Sequence, residues 1–136
     1  IARRLLSVLG VRAADVAFTH GDFFTFSSSR RFDFITAGEV LEHVRDPIGF
    51  LARVRELLAP NGIAYLSTCV NCPAVDHVYH FHSVDEIRAV IAEAGLAITD
   101  ERALPAEDVP CAKWAEQLIT VNYGAALRDA THGYAE

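Results

Sequence analysis

The stretch Phe32 to Val44, reading FDFITAGEVLEHV, constrains the fold more than any other part of the chain. Phe32, Phe34, Ile35 and Ala37 make a short apolar run, interrupted by Asp33 and Thr36. Such a run predicts a strand buried on both faces, as in the middle of a parallel sheet. Gly38 follows, and within five residues come Glu39, Glu42 and His43. A buried strand that opens at once into glycine, two carboxylates and an imidazole marks the carboxyl edge of an open α/β sheet, where ligands bind.

The flanking segments fit that frame. Residues 2–9 place Leu5, Leu6 and Leu9 on one helical face and stop at Gly10. Val16-Ala17-Phe18 is a short strand signal ahead of His20-Gly21-Asp22-Phe23. Asp46-Pro47 offers an N-cap and a first-turn proline to an amphipathic helix over 47–58, carried by Phe50, Leu51, Val54, Leu57 and Leu58. Pro60-Asn61-Gly62 predicts the turn that ends it, before a strand over Ile63–Thr68. Ser83-Val84-Asp85-Glu86 is a capping box for a helix that turns Val84, Ile87 and Ile91 inward and closes at Gly95. Leu96–Arg102 and Leu118–Leu127 read as strands, with 105–117 between them as a loop. The two have no long helix between them and are expected to pair as an antiparallel hairpin at the sheet edge. The resulting fold class is α/β: a partial doubly wound, Rossmann-like, mostly parallel sheet with a C-terminal antiparallel hairpin, lacking the first strands.

Composition excludes several functions. The chain of 136 residues has room for one core and carries a formal charge of −6. With a single lysine, Lys113, and no basic stripe, it lacks the electrostatic means to grip nucleic acid. No apolar run approaches the ~20 residues of a membrane span, and no signal peptide is visible. Three cysteines without a secreted framework suggest reduced thiols and a cytoplasmic location. The chain starts at Ile1 inside a helical pattern, so the front of a larger domain is expected to be missing.

Four segments carry a resemblance: VAFTHGDFF, FDFITAGEVLEHVRDP, FLARVRELLAPNGIAYLST and HFHSVDEIRAVIAEAGL. In this order and spacing the chain resembles class I S-adenosylmethionine-dependent methyltransferases, particularly the group containing the ubiquinone-pathway O-methyltransferases. The resemblance covers roughly residues 1–100, and the closing ITVNYGAALR is similar to the last strand of some members. It implies a single incomplete methyltransferase domain over 1–136, the C-terminal two-thirds, acting on a small-molecule acceptor. The family's glycine-rich loop has no counterpart here, since no GxGxG occurs, so this stretch alone is expected to be inactive.

The resemblance also implies roles. Asp22 corresponds to a carboxylate that accepts a hydrogen bond from the adenine amino group, and the Phe23 amide to one facing the ring; the residues alone equally allow an Asx-turn. Ala37, Gly38 and Glu39 sit where the family flanks the adenosine. Gly38 either admits a close ligand or merely allows a tight turn. His43 and His77 are the catalytic candidates, because imidazole titrates near neutral pH and suits proton removal. Asn71, Tyr79 and His80 lie in the loop that covers the substrate in the family. Trp114 and Tyr123 read as core or interface aromatics.

Three other readings compete. Glu39, Glu42 and His43, with His77, His80 or His82, match the metal-binding cluster of RNA 2′-O-methyltransferases, which the acidic charge disfavours. Cys69 and Cys72 form a CxxC, but irregular histidine spacing argues against zinc, and small residues packed under a loop is the preferred reading. A non-catalytic partner domain, or another nucleotide-binding α/β protein such as a dehydrogenase, would keep the same sheet. No metal is expected on balance, and the oligomeric state is not legible.

Overall fold

The computed structural model describes residues 12–106 and 120–131. The expected helix over 2–9, the loop over 107–117 and Trp114 lie outside them. Four strands form one mixed sheet in the order β1-β2-β4-β3: β1 (Phe32–Gly38), β2 (Leu58–Val70), β3 (Leu96–Pro105) and β4 (Val121–Asp129). β1 and β2 are parallel, whereas β4 runs antiparallel to both β2 and β3. The expected hairpin exists, but its second strand is the inner one. β4 enters between β2 and β3 because its side chains are the better buried: Tyr123, Ala125 and Leu127 are each 2% exposed or less. β3, with charged residues at 100–102, takes the edge.

Helix α1 (Pro47–Leu57) forms where the sequence places its start. Asp46 Oδ1 accepts from the Gly49 amide at 2.8 Å, and Pro47 occupies the first turn. Its stripe of Phe50, Leu51, Val54 and Leu57 is buried. Arg31 donates to the carbonyl of Glu56 and so caps the end of this helix. Helix α2 (Val84–Glu93) buries Ile87, Val90 and Ile91. Ser83 Oγ accepts from the Glu86 amide at 3.2 Å, while the Glu86 carboxylate reaches one residue further back, to the His82 amide at 2.7 Å. Gly95 closes the helix with φ of 77°, a conformation costly to a side chain. Both helices pack with the sheet into one apolar cluster containing Leu66, Phe81 and Leu127.

Two strand expectations change. Val16–Phe18 is irregular, and Phe18 is 52% exposed. Three apolar residues hold a strand only with a ladder partner, and among the described residues they have none. Pro60-Asn61-Gly62 does not end the helix by a turn; it bulges out of β2. Three residues of β1, Phe32 to Phe34, span six of β2, Leu58 to Ile63, and Asn61 adopts φ of 65° to accommodate the excess. β1 itself has only β2 beside it among the described residues, so Phe34 is 61% exposed instead of buried on both faces.

On the face away from the β1 edge, α2 and the hairpin share a polar network. Arg88 pairs with Glu101 at 2.7 Å, and the Tyr123 hydroxyl donates to the same carboxylate at 2.7 Å. Arg88, then Tyr123, holds Glu101 below the ordinary carboxylate range. Burial, reinforced by that bond, pushes the Tyr123 phenol up. Tyr123 is thus a core aromatic, 1% exposed. Among the described residues no helix is long and apolar enough to cross a membrane.

Candidate functional site

The parallel pair β1 and β2 ends side by side, with Gly38 opposite Ser67. Immediately beyond these strands, Glu39 and Asn71 both adopt φ of 51°. Left-handed backbone at a non-glycine residue costs about 1–3 kcal/mol and clusters at ligand sites. The surroundings enforce it. The Glu39 amide donates to the Ser67 carbonyl at 2.9 Å, and Ser67 Oγ donates to Glu39 Oε1 at 2.7 Å. The Asn71 amide donates to the Phe81 carbonyl at 2.9 Å, and its own carbonyl accepts from Thr120 Oγ1 at 3.0 Å.

Ala37 is buried at 8% exposure, within the β1–β2 ladder. Gly38 has an ordinary φ, and a Cβ built on it would meet nothing nearer than Ser67 Oγ at 3.5 Å. Neither strain nor crowding inside the chain requires glycine there. The absent side chain leaves the end of β1 open on that side.

A 3-10 turn over Leu41–His43 follows, with Leu41 and Glu42 buried. The Glu42 carbonyl accepts from the amides of Val78 and Tyr79 at 2.8 and 3.0 Å, folding the 71–82 loop back across the end of β1. The Glu42 carboxylate is 2% exposed and accepts from Thr68 Oγ1 at 2.7 Å. Among the described residues it forms no ion pair. Thr68 and Ser67 therefore hold the two carboxylates. Sequence reasoning missed both, although polar residues ending an apolar strand opposite Gly38 were the available signal.

The loop brings the imidazoles together. His43 Nδ1 lies 3.0 Å from the Asp76 carbonyl, and His77 Nδ1 lies 2.7 Å from the Cys72 carbonyl. A carbonyl only accepts, so each Nδ1 carries a proton, and in the neutral ring the lone pair is on Nε2. The two rings meet edge to face at 5.0 Å. Ligand atoms of Cys69, Cys72 and His77 lie within 4.8 Å of one another, as do those of Glu42, His43 and His77, and those of Glu39, Glu42 and Cys69. Burial first, then Cys72, Glu42 and Glu39, pushes the Cys69 thiol up to about 12.

The other candidates are more dispersed. Asp22 and Phe23 line a cleft of about 480 Å³ with Ala17, Thr19, Thr25 and Phe26. Asp22 Oδ1 accepts from the Phe24 amide at 3.0 Å, so the Asx-turn is real and leaves Oδ2 outside that bond. The Phe23 ring stacks at 4.7 Å on Phe50 of α1, anchoring this segment to the core. Asn71 and His80 line a second cleft of about 290 Å³ with Cys72 and Phe81. Tyr79 is half-buried and packs its ring on Phe81 at 4.8 Å, as much a support of the loop as a face for a ligand.

Comparison with known proteins places the chain in a family. Residues 10–101, about two-thirds of the chain, match the family described as methyltransferase domain. The chain belongs to that family. It is 48% identical over 40 residues to the ubiquinone biosynthesis O-methyltransferase of Histophilus somni (strain 2336). That stretch is 29% of this chain and only 17% of the relative's length. Among solved structures, an S-adenosylmethionine-dependent methyltransferase from Clostridium acetobutylicum ATCC 824 superposes with a TM-score of 0.62 at 11% identity, covering 93% of this chain and 70% of that one. The O-methyltransferase of neocarzinostatin biosynthesis, solved with S-adenosyl-L-homocysteine and 1,4-dihydroxy-2-naphthoic acid, gives 0.64 at 16% identity, covering 93% and 38%. At these identities the structures establish the shared fold.

Proposed function

We propose that this chain supplies the adenine side and the acceptor side of a cleft for methyl transfer from S-adenosylmethionine to a small-molecule oxygen, nitrogen or carbon nucleophile. The observation that carries the reading is Gly38, left clear at the end of β1 beside a left-handed Glu39, in a chain of the methyltransferase-domain family. The residues present fit the cofactor. Asp22 keeps a carboxylate oxygen for an exocyclic amine, Phe23 offers an amide at the cleft wall, and the exposed Gly38 and Glu39 give an edge for a nucleoside beyond the buried Ala37. When bound, S-adenosylmethionine supplies an electrophilic sulfonium methyl group.

The chain's own part is positioning and proton removal. His43, with its proton held at Nδ1 by the Asp76 carbonyl, presents Nε2 to take a proton from an acceptor hydroxyl. His77 packs against it and limits its rotation. Asn71 and His80 face the acceptor from the loop cleft, which the Glu42 carbonyl pins over the strand ends. Covering the cleft in this way excludes water from the reacting centre. The acidic surface suits a small-molecule partner better than nucleic acid.

A nuclear magnetic resonance titration of the chain with S-adenosylhomocysteine tests the reading. Amide shifts are expected at Phe23 and across Gly38–Glu39. Asp22→Ala should weaken binding about tenfold, about 1.4 kcal/mol, the lower end for a hydrogen bond to a charged group. Shifts confined elsewhere, no saturable shifts, or unchanged affinity in Asp22→Ala would each overturn it.

A further inference from the structure

We propose that Cys69, Cys72 and His77 form a binding site for one soft or borderline divalent transition ion of the zinc class. The site closes the 71–82 loop onto the end of β2 and leaves a fourth position open toward the cleft at Asn71 and His80. Spacing along the chain argues against such a site, because the histidines downstream of the CxxC fall at irregular intervals. Folding removes the objection. The His77 amide donates to the Ala74 carbonyl at 3.2 Å, and this turn carries the imidazole back to the cysteines.

Four observations support the assignment. The three ligand atoms already lie within 4.8 Å of one another, against roughly 3.5–3.8 Å across the edge of a tetrahedral zinc site. His77 Nδ1 lies 2.7 Å from the Cys72 carbonyl, so the neutral ring that donates there keeps its lone pair on Nε2, and a carbonyl is the usual outer partner of a ligating histidine. The neighbourhood is anionic and lacks a counter-charge among the described residues. Glu39 and Glu42 each bring a carboxylate oxygen within 4.8 Å of the Cys69 sulfur, and Glu42 is 2% exposed with no ion pair among the described residues. A buried carboxylate that accepts from the Thr68 hydroxyl and has no cation beside it among the described residues is stabilised by one. Finally, Cys69 is 6% exposed while Cys72 borders the open cleft of about 290 Å³, so the ion has an entry path and room for a further ligand.

The pair of sulfurs selects the ion. Magnesium, calcium and manganese prefer all-oxygen shells, whereas thiolates with one imidazole favour zinc, cobalt or cadmium. On binding, each cysteine gives its thiol proton to solvent and two sulfur–metal bonds form, with no change in oxidation state. The ion would then sit beside the parallel strand ends and hold His77 against His43, independently of whether the cofactor is bound.

The test uses the chain itself, purified reduced and freed of metal with chelator, then titrated anaerobically with Co²⁺. A near-ultraviolet thiolate-to-cobalt charge-transfer band saturating at one equivalent is expected, and Zn²⁺ should abolish it by displacement. Cys72→Ser should retain about half the band intensity and bind Zn²⁺ at least tenfold more weakly in competition with a chromophoric chelator. Cys72 is only partly buried, and circular dichroism of the variant checks its fold. The absence of a charge-transfer band from the unsubstituted chain would overturn the proposal without reference to any variant. Zn²⁺ affinity unchanged in Cys72→Ser would also overturn it and move the ion to Glu42, His43 and His77. Neither result touches the cofactor reading when the S-adenosylhomocysteine titration is run in chelator.

Discussion

Thr68→Val tests whether the buried Glu42 is held as the structure describes. The substitution keeps the shape of the side chain and removes its hydroxyl, leaving the carboxylate without the donor it has at 2.7 Å. Thr68 is 0% exposed and Glu42 is 2% exposed, so water cannot replace the lost bond without opening the turn that carries the loop. A hydrogen bond to a charged group is worth about 1.5–3 kcal/mol, and a buried group left unpaired bears its full desolvation cost. For a chain of this size that amounts to a fall of about 5–15 °C in Tm. Urea unfolding followed by far-ultraviolet circular dichroism, in chelator to exclude metal, gives the free energy directly. The Thr68→Val/Glu42→Leu double variant removes both partners and should recover at least about 1 kcal/mol relative to the sum of the single changes. A Thr68→Val loss under about 0.5 kcal/mol, or strict additivity in the double variant, would show that the carboxylate is solvated by another route.

Two glycines should respond in opposite ways. Gly95→Ala is expected to cost about 1–2 kcal/mol in urea unfolding, since φ is 77° and the new Cβ would meet the Arg55 guanidinium. Gly38→Ala should leave stability within about 0.5 kcal/mol, because φ is ordinary and the nearest atom is 3.5 Å away, yet weaken S-adenosylhomocysteine binding. Equal effects of the two on stability would refute the distinction. Acid unfolding reports on Glu101, whose folded pKa is lowered by Arg88 and then Tyr123. Its stabilisation is present above the unfolded value near 4.3 and is lost as pH falls through the lower folded value. Glu101→Gln should therefore flatten the stability profile in that acid range, and identical profiles would contradict the assignment.

Local signals predicted local structure well. Asp46-Pro47 and Ser83–Glu86 locate both helix starts because a cap is satisfied within one turn of chain. Phe32–Gly38 was legible as a strand because its apolar run is a local signal. What was not legible depends on distant partners. Phe34 reads as buried, but its exposure follows from which strand lies beside β1. The left-handed Glu39 is imposed by Ser67, 28 residues away, and nothing in GEVLEH announces it. The Cys–His grouping likewise appears only after the Glu42 carbonyl has drawn Val78 and Tyr79 inward.

The strand order also dictates an order of assembly. β3 leaves the ribosome before β4, yet its pairing in the sheet is with β4, from Leu96 against Asp129 to Pro105 against Val121. β2 waits as well, since Ala64 pairs with Leu127 across 63 residues. Until β4 arrives, two strands present unsatisfied edges to each other across a vacant slot, a state prone to wrong pairing and association. Closing so many long-range pairs at once makes insertion of β4 the natural slow step of folding. Substitutions in Tyr123–Leu127 should accordingly act on the rate of folding as much as on the stability of the finished sheet.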